Sequence, residues 1–233
     1  MRGLLVTATD TEVGKTYLAA AICAALARDG RRPQAHKPVV TGLDEPIPAG
    51  QRDHELLAAC TGQRPEQVSP LRFAPPVSPH LAAERAGTPL DPAALVAAAR
   101  AAAPADGEPL VVEGIGGLLV PFTREGYDVR AFARDLGLPL VVAARPGLGT
   151  INHTRLTVAA ARAAGLDVRA VVLTPWTGDD PLADDNRATL EGLLDGVPVH
   201  GLPPTAPEPA ALARAAAGLP VAAWVGPARP AGD

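Results

Sequence analysis

Lysine occurs at two positions only in this chain. Of 21 basic residues, Lys15 and Lys37 are lysine and the other 19 are arginine. The Ala, Arg, Pro and Gly bias suggests a coding background that has exchanged lysine for arginine wherever a planar guanidinium would serve. A site needing a compact ammonium on a flexible stem cannot accept that exchange, so both survivors are candidates for chemistry. Lys15 stands in Ala8-Thr9-Asp10-Thr11-Glu12-Val13-Gly14-Lys15-Thr16, between a short apolar run and an Ala-rich stretch. Strand, tight loop and helix in that order are the setting of a phosphate-binding loop. The free N–H groups of the helix N-terminus take a polyphosphate, Lys15 reaches the β/γ-phosphates, and the Thr16 hydroxyl ligates Mg²⁺. The strict spacing asks for Gly at position 9, where this chain has Thr9. The bland alternative is an ordinary strand-turn-helix whose Gly14 eases the turn.

Lys37 lies in Gln34-Ala35-His36-Lys37-Pro38-Val39-Val40, which reads as a second strand that Pro38 either stops or confines to an edge. Ligands of an open α/β sheet bind in loops at the carboxyl ends of its strands, and Lys37 and Thr41 fall at such a place. Asp53 starts a helix running to Cys60, either as a first-turn capping residue or with a further role. Glu113 closes the apolar run Leu110-Val111-Val112 and is followed by Gly114, Ile115, Gly116 and Gly117. A carboxylate at a strand tip beside a phosphate loop is where Mg²⁺ is held, and the glycines let backbone approach a ligand. A strand-ending Glu in a glycine turn is the plainer alternative. Gly149-Thr150-Ile151-Asn152-His153 opens a helix that runs to Ala164. It is a second N-terminus suited to a carboxylate or phosphate, or only a glycine-eased connection.

The elements that must position these residues alternate along the chain. Strands are expected at Gly3–Thr7, Gln34–Val40, Pro109–Val112, Pro139–Ala144 and Val168–Leu173, with a last short strand and loop over Val197–Pro204. Helices are expected between them, starting at Thr16–Tyr17, Asp53, Ser78, Asp91, Asp128, Thr150, Pro181 and Pro209. That order predicts one α/β domain over residues 1–233, a doubly wound, mainly parallel sheet with helices on both faces, of the P-loop NTPase type. A Pro/Gly/Ala tail from about residue 219 is expected to fray. A hydrophobic content of 47% with net charge −4 carries no basic surplus, so no nucleic-acid partner is expected. No run of 18 apolar residues occurs, and a core strand begins within three residues of the N-terminus. A membrane span, a membrane partner and a signal peptide are therefore not expected, and the chain reads as cytoplasmic. Cys23 and Cys60 lie in apolar helical patterns without C-x-x-C pairing, as buried free thiols of a reducing compartment.

Five blocks in register resemble the dethiobiotin synthetase family. They are Thr7 to Thr16, Lys37-Pro38-Val39 with Thr41-Gly42, Ser78-Pro79-His80, Val112-Glu113-Gly114 with Gly116-Gly117, and Gly149 to His153. In that family the loop has one residue more before Gly14 than the strict motif, which accounts for Thr9. The resemblance implies an ATP- and Mg²⁺-dependent cyclo-ligase of biotin biosynthesis. Its substrates would be 7,8-diaminononanoate, CO₂ and a nucleoside triphosphate. One amine takes up CO₂ as a carbamate, the γ-phosphoryl group activates it as a mixed anhydride, and the second amine closes the ring, releasing ADP and phosphate.

Residue by residue, the resemblance gives Lys37, Lys15, Thr11 and Glu12 catalytic places, and Thr41 a place on the carbamate. Thr16, Asp53 and Glu113 would surround the metal. The nucleotide would meet Glu12, Val13, Gly14, Lys15, Thr16, Asp53, Glu113, Gly114, Ile115 and Gly116, with Thr174, Pro175, Leu202, Pro203 and Pro204 towards the base. Gly149, Thr150 and Asn152 would anchor the nonanoate carboxylate from the partner subunit of a homodimer. Three departures stand out. Ala8 replaces the usual glycine, Thr174-Pro175 lies where many members carry an adenine-reading Asn, and Pro204 lies where some carry Trp. Nucleoside triphosphates other than ATP are therefore possible co-substrates. The rival readings are a P-loop ATPase switch of the partitioning type, acting through dimerisation, and a small-molecule kinase, which would release a stable phosphorylated product.

Overall fold

The computed structural model describes residues 1–46 and 51–226. Residues 47–50 lie outside the described residues, as do residues 227–233. The described chain runs β1 (Gly3–Ala8), α1 (Lys15–Arg28), β2 (Gln34–His36), β3 (Val39–Val40), α2 (Asp53–Thr61), α3 (Pro65–Val68) and β4 (Leu71–Arg72). It continues through α4 (Pro79–Arg85), α5 (Pro92–Ala101), β5 (Leu110–Glu113), α6 (Val129–Leu136), β6 (Leu140–Ala144) and α7 (Thr150–Ala163). It ends with β7 (Val168–Leu173), α8 (Pro181–Leu193), β8 (Val199–Gly201), α9 (Pro209–Ala215), a 3-10 turn at Ala216–Gly218 and α10 (Val221–Trp224).

Six strands form one parallel sheet in the order β2-β5-β1-β6-β7-β8. β1 is central because each of its six residues is buried and apolar or small. Side chains alternate across its faces, so Leu4, Val6 and Ala8 join the core under α1 while Leu5 joins the opposite core with Leu110, Val112 and Leu140. α1 is buried without interruption from Leu18 to Leu26. Its run of alanines lets a helix that is apolar on every side sit close to the sheet and to α2 and α9. This alternation also explains Ala8. Its methyl group is wholly buried in the α1 core with Leu4 and Val6, on the face of β1 that the alternation assigns to it.

One expectation is borne out and one is corrected. The strand from Gln34 stops before Pro38, one of the two alternatives that proline allowed. Pro38 has no N–H to continue the ladder, the Lys37 N–H donates to Val68 O at 2.8 Å, and Val39–Val40 pairs instead with Leu71–Arg72 in a separate two-stranded ladder. The edge position expected from Pro38 does hold for β2. Residues 219–226, expected to fray, are packed instead. Val221, Trp224 and Val225 pack into the α1 core, and the Gly226 N–H donates to Gly3 O at 3.1 Å. Cys23 and Cys60 are both buried and free. No helix among the described residues is long and apolar enough to cross a membrane.

β2 also buries an imidazole. His36 is 1% exposed, and neither ring nitrogen has a hydrogen-bond partner. Burial lowers its pKa to about 4, so the folded chain holds it neutral where an unfolded imidazole, near 6.5, already takes a proton. The stability this contributes is complete above pH 6.5 and is lost as the pH falls towards 4, a loss of roughly 3 kcal/mol. Urea midpoints of His36→Leu are expected to fall less steeply than wild type between pH 7 and 4.5. Parallel pH profiles would show that another group carries the acid sensitivity.

Candidate active site

The strand order brings the candidate residues together. β5 lies between β2 and β1, with His36 opposite Val112 and Val6 opposite Glu113. Lys37 and Glu113 therefore leave adjacent strand ends, beside the loop that joins β1 to α1. α2 lays Asp53 across the same end. Asp53 is the first helical residue and Arg52 is the N-cap, so its carboxylate is not needed as a cap and is free to face the cleft.

Lys37 Nζ donates to Glu113 Oε1 at 2.7 Å and to Asp53 Oδ2 at 2.5 Å. Thr16 Oγ1 donates to the same Glu113 Oε1 at 2.9 Å. The Lys37 and Glu113 side chains are 6% and 0% exposed, whereas that of Asp53 is 46% exposed. Burial opposes the charge on Lys37, but the two carboxylates outweigh it and hold the ammonium more firmly protonated than usual. Burial also opposes ionisation of Asp53, and Lys37 reverses the sign, holding that carboxyl at about 2. For Glu113 burial prevails, and its carboxyl is raised above the ordinary value. Lys15 is lowered, first by burial and in part by its neighbour Lys37, against the pull of Glu113. Two ammonium groups and two carboxylates thus share one end of the sheet.

Around them is a cleft of about 490 Å³ lined by Thr11, Glu12, Gly14, Lys15, Thr16, Lys37, Thr41, Asp53, Ile115 and Gly116, all expected from the sequence. Tyr17, Val39, Gln51, Leu56 and Pro207 line it too and were not anticipated. Nothing local marks them, since three are ordinary apolar residues made part of the wall by α2, by the β3–β4 ladder and by the segment before α9.

The phosphate loop has the backbone its role requires. Gly14 has φ +87 and forms the N-cap of α1. A β-carbon there would lie 2.9 Å from Thr174 Cγ2, so only glycine fits against β7's end. Glu12 holds φ +56 without being glycine, a conformation that folded chains keep where surrounding contacts enforce it. Two such contacts are visible. Asp10 Oδ1 accepts from the Thr11 N–H at 2.8 Å, and the Arg145 guanidinium donates to Thr11 O at 3.1 Å. Arg145 has no sequence signal beyond its place at the end of β6.

Other expected residues fall elsewhere. Val13 and Leu202 are 2% and 0% exposed in the α1 core, leaving only their backbones for a nucleotide. Gly114 makes room for Val129, since a β-carbon would sit 2.9 Å from Val129 Cγ1. Thr174 is buried against Gly14, while Pro175, Pro203 and Pro204 are exposed and do not line the cleft. Trp176, which was not singled out, covers Gly201, and the Arg187 guanidinium lies 5.6 Å from its ring centroid. Gly149 is the N-cap of α7 with φ +90 and Asn152 is exposed, but Thr150 is buried with its hydroxyl 3.3 Å from that of Thr154. None of those three lines the cleft.

For a metal, the donor set is tested by Glu113 Oε2. It is buried and has no hydrogen-bond partner, which leaves an anionic oxygen for a cation. Thr16, Asp53 and Glu113 bring hard oxygens together, the donor chemistry that suits Mg²⁺. No cluster of three or more His, Cys, Asp or Glu side chains occurs among the described residues, so the set is not an all-protein cage.

Comparison with known proteins follows the same lines. A family model described as "AAA domain" matches residues 2–210. "ATP-dependent dethiobiotin synthetase BioD" of Anaeromyxobacter sp. (strain Fw109-5) is 44% identical over 206 residues, covering 87% of this chain and 90% of that protein. The protein of the same name from Bacillus thuringiensis (strain Al Hakam) is 37% identical over 205 residues, covering 88% and 84%. Among solved structures, a ParA family ATPase from Chlorobium tepidum TLS aligns over 87% of this chain and 85% of its own, with TM-score 0.52 and 12% identity. That likeness concerns the fold alone, a mainly parallel sheet of the P-loop NTPase type.

Proposed function

This chain belongs to the ATP-dependent dethiobiotin synthetase family, and on that premise we propose that it makes dethiobiotin. The reaction would take 7,8-diaminononanoate, CO₂ and ATP to dethiobiotin, ADP and phosphate, through a carbamate and a carbamic-phosphoric mixed anhydride. The observation that carries this reading is that both lysines of the chain line one cleft with Thr11, Thr16 and Thr41.

A carbamate attacking a γ-phosphate brings two anions together, so the site must concentrate positive charge where the phosphoryl group passes. Lys15 and the α1 N-terminus would hold the triphosphate, and Lys37 and Thr41 would hold the carbamate. Thr11 would assist from the loop, and Glu12 would lie towards the diamine and take a proton from it. Thr16, Asp53 and Glu113 would hold Mg²⁺, which would supply positive charge beside the transferred phosphoryl group. Ile115 and Gly116 would close the cleft on the nucleotide. Thr174, Pro175, Pro203 and Pro204 would lie on the base side, with no side-chain amide among them to read adenine, so CTP and other nucleoside triphosphates are plausible co-substrates. Gly149, Thr150 and Asn152, being outside the cleft, would serve a neighbouring subunit of a homodimer, with Asn152 and the α7 backbone taking the nonanoate carboxylate.

Turnover with diaminononanoate, bicarbonate, Mg²⁺ and each of the four nucleoside triphosphates tests the reading. Phosphate release that depends on both bicarbonate and the diamine is expected. Release without bicarbonate, together with a phosphorylated acceptor, would point to the kinase. Release with neither would leave the partitioning-type switch.

A further inference from the structure

Lys37 holds the same two carboxylates that are assigned above to the metal. Its Nζ touches Asp53 Oδ2 and Glu113 Oε1, Thr16 Oγ1 donates to the same Oε1, and Glu113 Oε2 is left without a partner. A divalent ion held by Asp53 and by Glu113 Oε2 would neutralise the two anions that retain the ammonium and repel it from beside them. The two cations compete for one pair of carboxylates.

The geometry points to a cation exchange: the Lys37 ammonium holds the two carboxylates in place until a divalent ion displaces it, and that displacement delivers Lys37 into the cleft. The inference rests on the metal reading above and adds the coupling between the ion and the lysine. Charge supports it. Two carboxylates with Lys37 carry a net −1, whereas with a divalent ion they are neutral, so the lysine's positive charge becomes available to an anionic substrate. Direction supports it as well. Lys37 is 4% exposed as a residue, and its open side is the cleft it shares with Lys15 and Thr41. An ammonium leaving the carboxylates therefore moves towards the triphosphate and its acceptor, not to bulk water. Glu113 is buried and cannot follow. The exchange would thus make the lysine available only when the metal is loaded, and an anion in the cleft that attracts Lys37 would in turn promote metal loading.

The chain's two lysines make the test direct. In protein labelled with ¹³C-lysine, two side-chain signals are expected, and Lys37→Met identifies the one to follow. During a Mg²⁺ titration without nucleotide, the Lys37 Cε signal of the wild type is expected to shift in step with binding measured by calorimetry. Lys37→Met, with the resident cation removed, is expected to bind Mn²⁺ at least tenfold more tightly than wild type. A Lys37 signal that stays fixed while the metal saturates its site, or equal Mn²⁺ affinity in the two proteins, would overturn the exchange. If Asp53→Asn and Glu113→Gln leave metal affinity unchanged, the metal assignment fails and the exchange fails with it. The wild-type titration decides the question even if Lys37→Met folds poorly.

Discussion

Lys37→Arg should yield a chain that folds and binds nucleotide but turns over at least about 10²-fold more slowly, the scale of losing one charge-stabilising donor at a reacting centre. Both side chains are cations, so the ion pairs with Asp53 and Glu113 survive and the fold has no reason to fail. The difference lies in shape. Lys37 Nζ meets Asp53 Oδ2 and Glu113 Oε1 as a point charge at the end of a flexible stem. A guanidinium is a planar fork suited to two carboxylate partners at once. It would bind that pair more tightly and present no compact ammonium to the carbamate. Urea unfolding, nucleotide binding and turnover measured on the same preparation check the three parts. Wild-type turnover in Lys37→Arg would remove Lys37 from the reaction.

The residues of that prediction were legible before any fold was known, for reasons that differ residue by residue. Lys15 and Thr16 carry a spacing with a mechanism. Lys37 is marked by the scarcity of lysine, and Glu113 by being a carboxylate at the tip of an apolar strand. Their partnership was not legible, because Lys37 is separated from Asp53 by 16 positions and from Glu113 by 76. It depends on β5 lying beside β2, an order that alternating strands and helices do not reveal. The resemblance assigned Asp53 and Glu113 to a metal and Lys37 to a carbamate, and gave no hint that the three side chains touch.

Elements stabilised from a distance were the ones misread or missed. β3 and β4 have two residues each, too few for a period, and they exist because Pro38 ends β2 and Val39–Val40 finds Leu71–Arg72. The tail looked like Pro/Gly/Ala filler, but Trp224 and Val225 anchor its described residues in the α1 core. Ala8, a departure from the family's glycine, is the last residue of β1, and the strand period of two places it with Leu4 and Val6 in the α1 core.

Glu113→Gln should destabilise the fold, because breaking a buried ion pair from one side leaves the other charge uncompensated. The loss should be less than the roughly 3 kcal/mol usual for such a break, since burial already opposes the Glu113 charge. Glu113 is wholly buried and Lys37 nearly so, while Asp53, the second anion, keeps almost half of its side-chain surface in contact with solvent. Asp53 alone is therefore a weaker counter-charge than the pair. The amide keeps the shape and can still accept from Thr16 and Lys37 through its oxygen, so the loss reports charge and not packing. Removing both charges should be less harmful than removing one. Lys37→Met with Glu113→Gln is expected to recover most of the lost stability, which a double-mutant cycle of urea midpoints would show as a large coupling between the positions. A wild-type midpoint for Glu113→Gln would mean that Asp53 neutralises Lys37 unaided. Simple additivity in the double variant would mean that the 2.7 Å contact between Lys37 and Glu113 contributes no net stability. In either case Glu113 would be retained for the ligand alone, and the raised carboxyl of this buried residue would be a cost that the fold carries for the site.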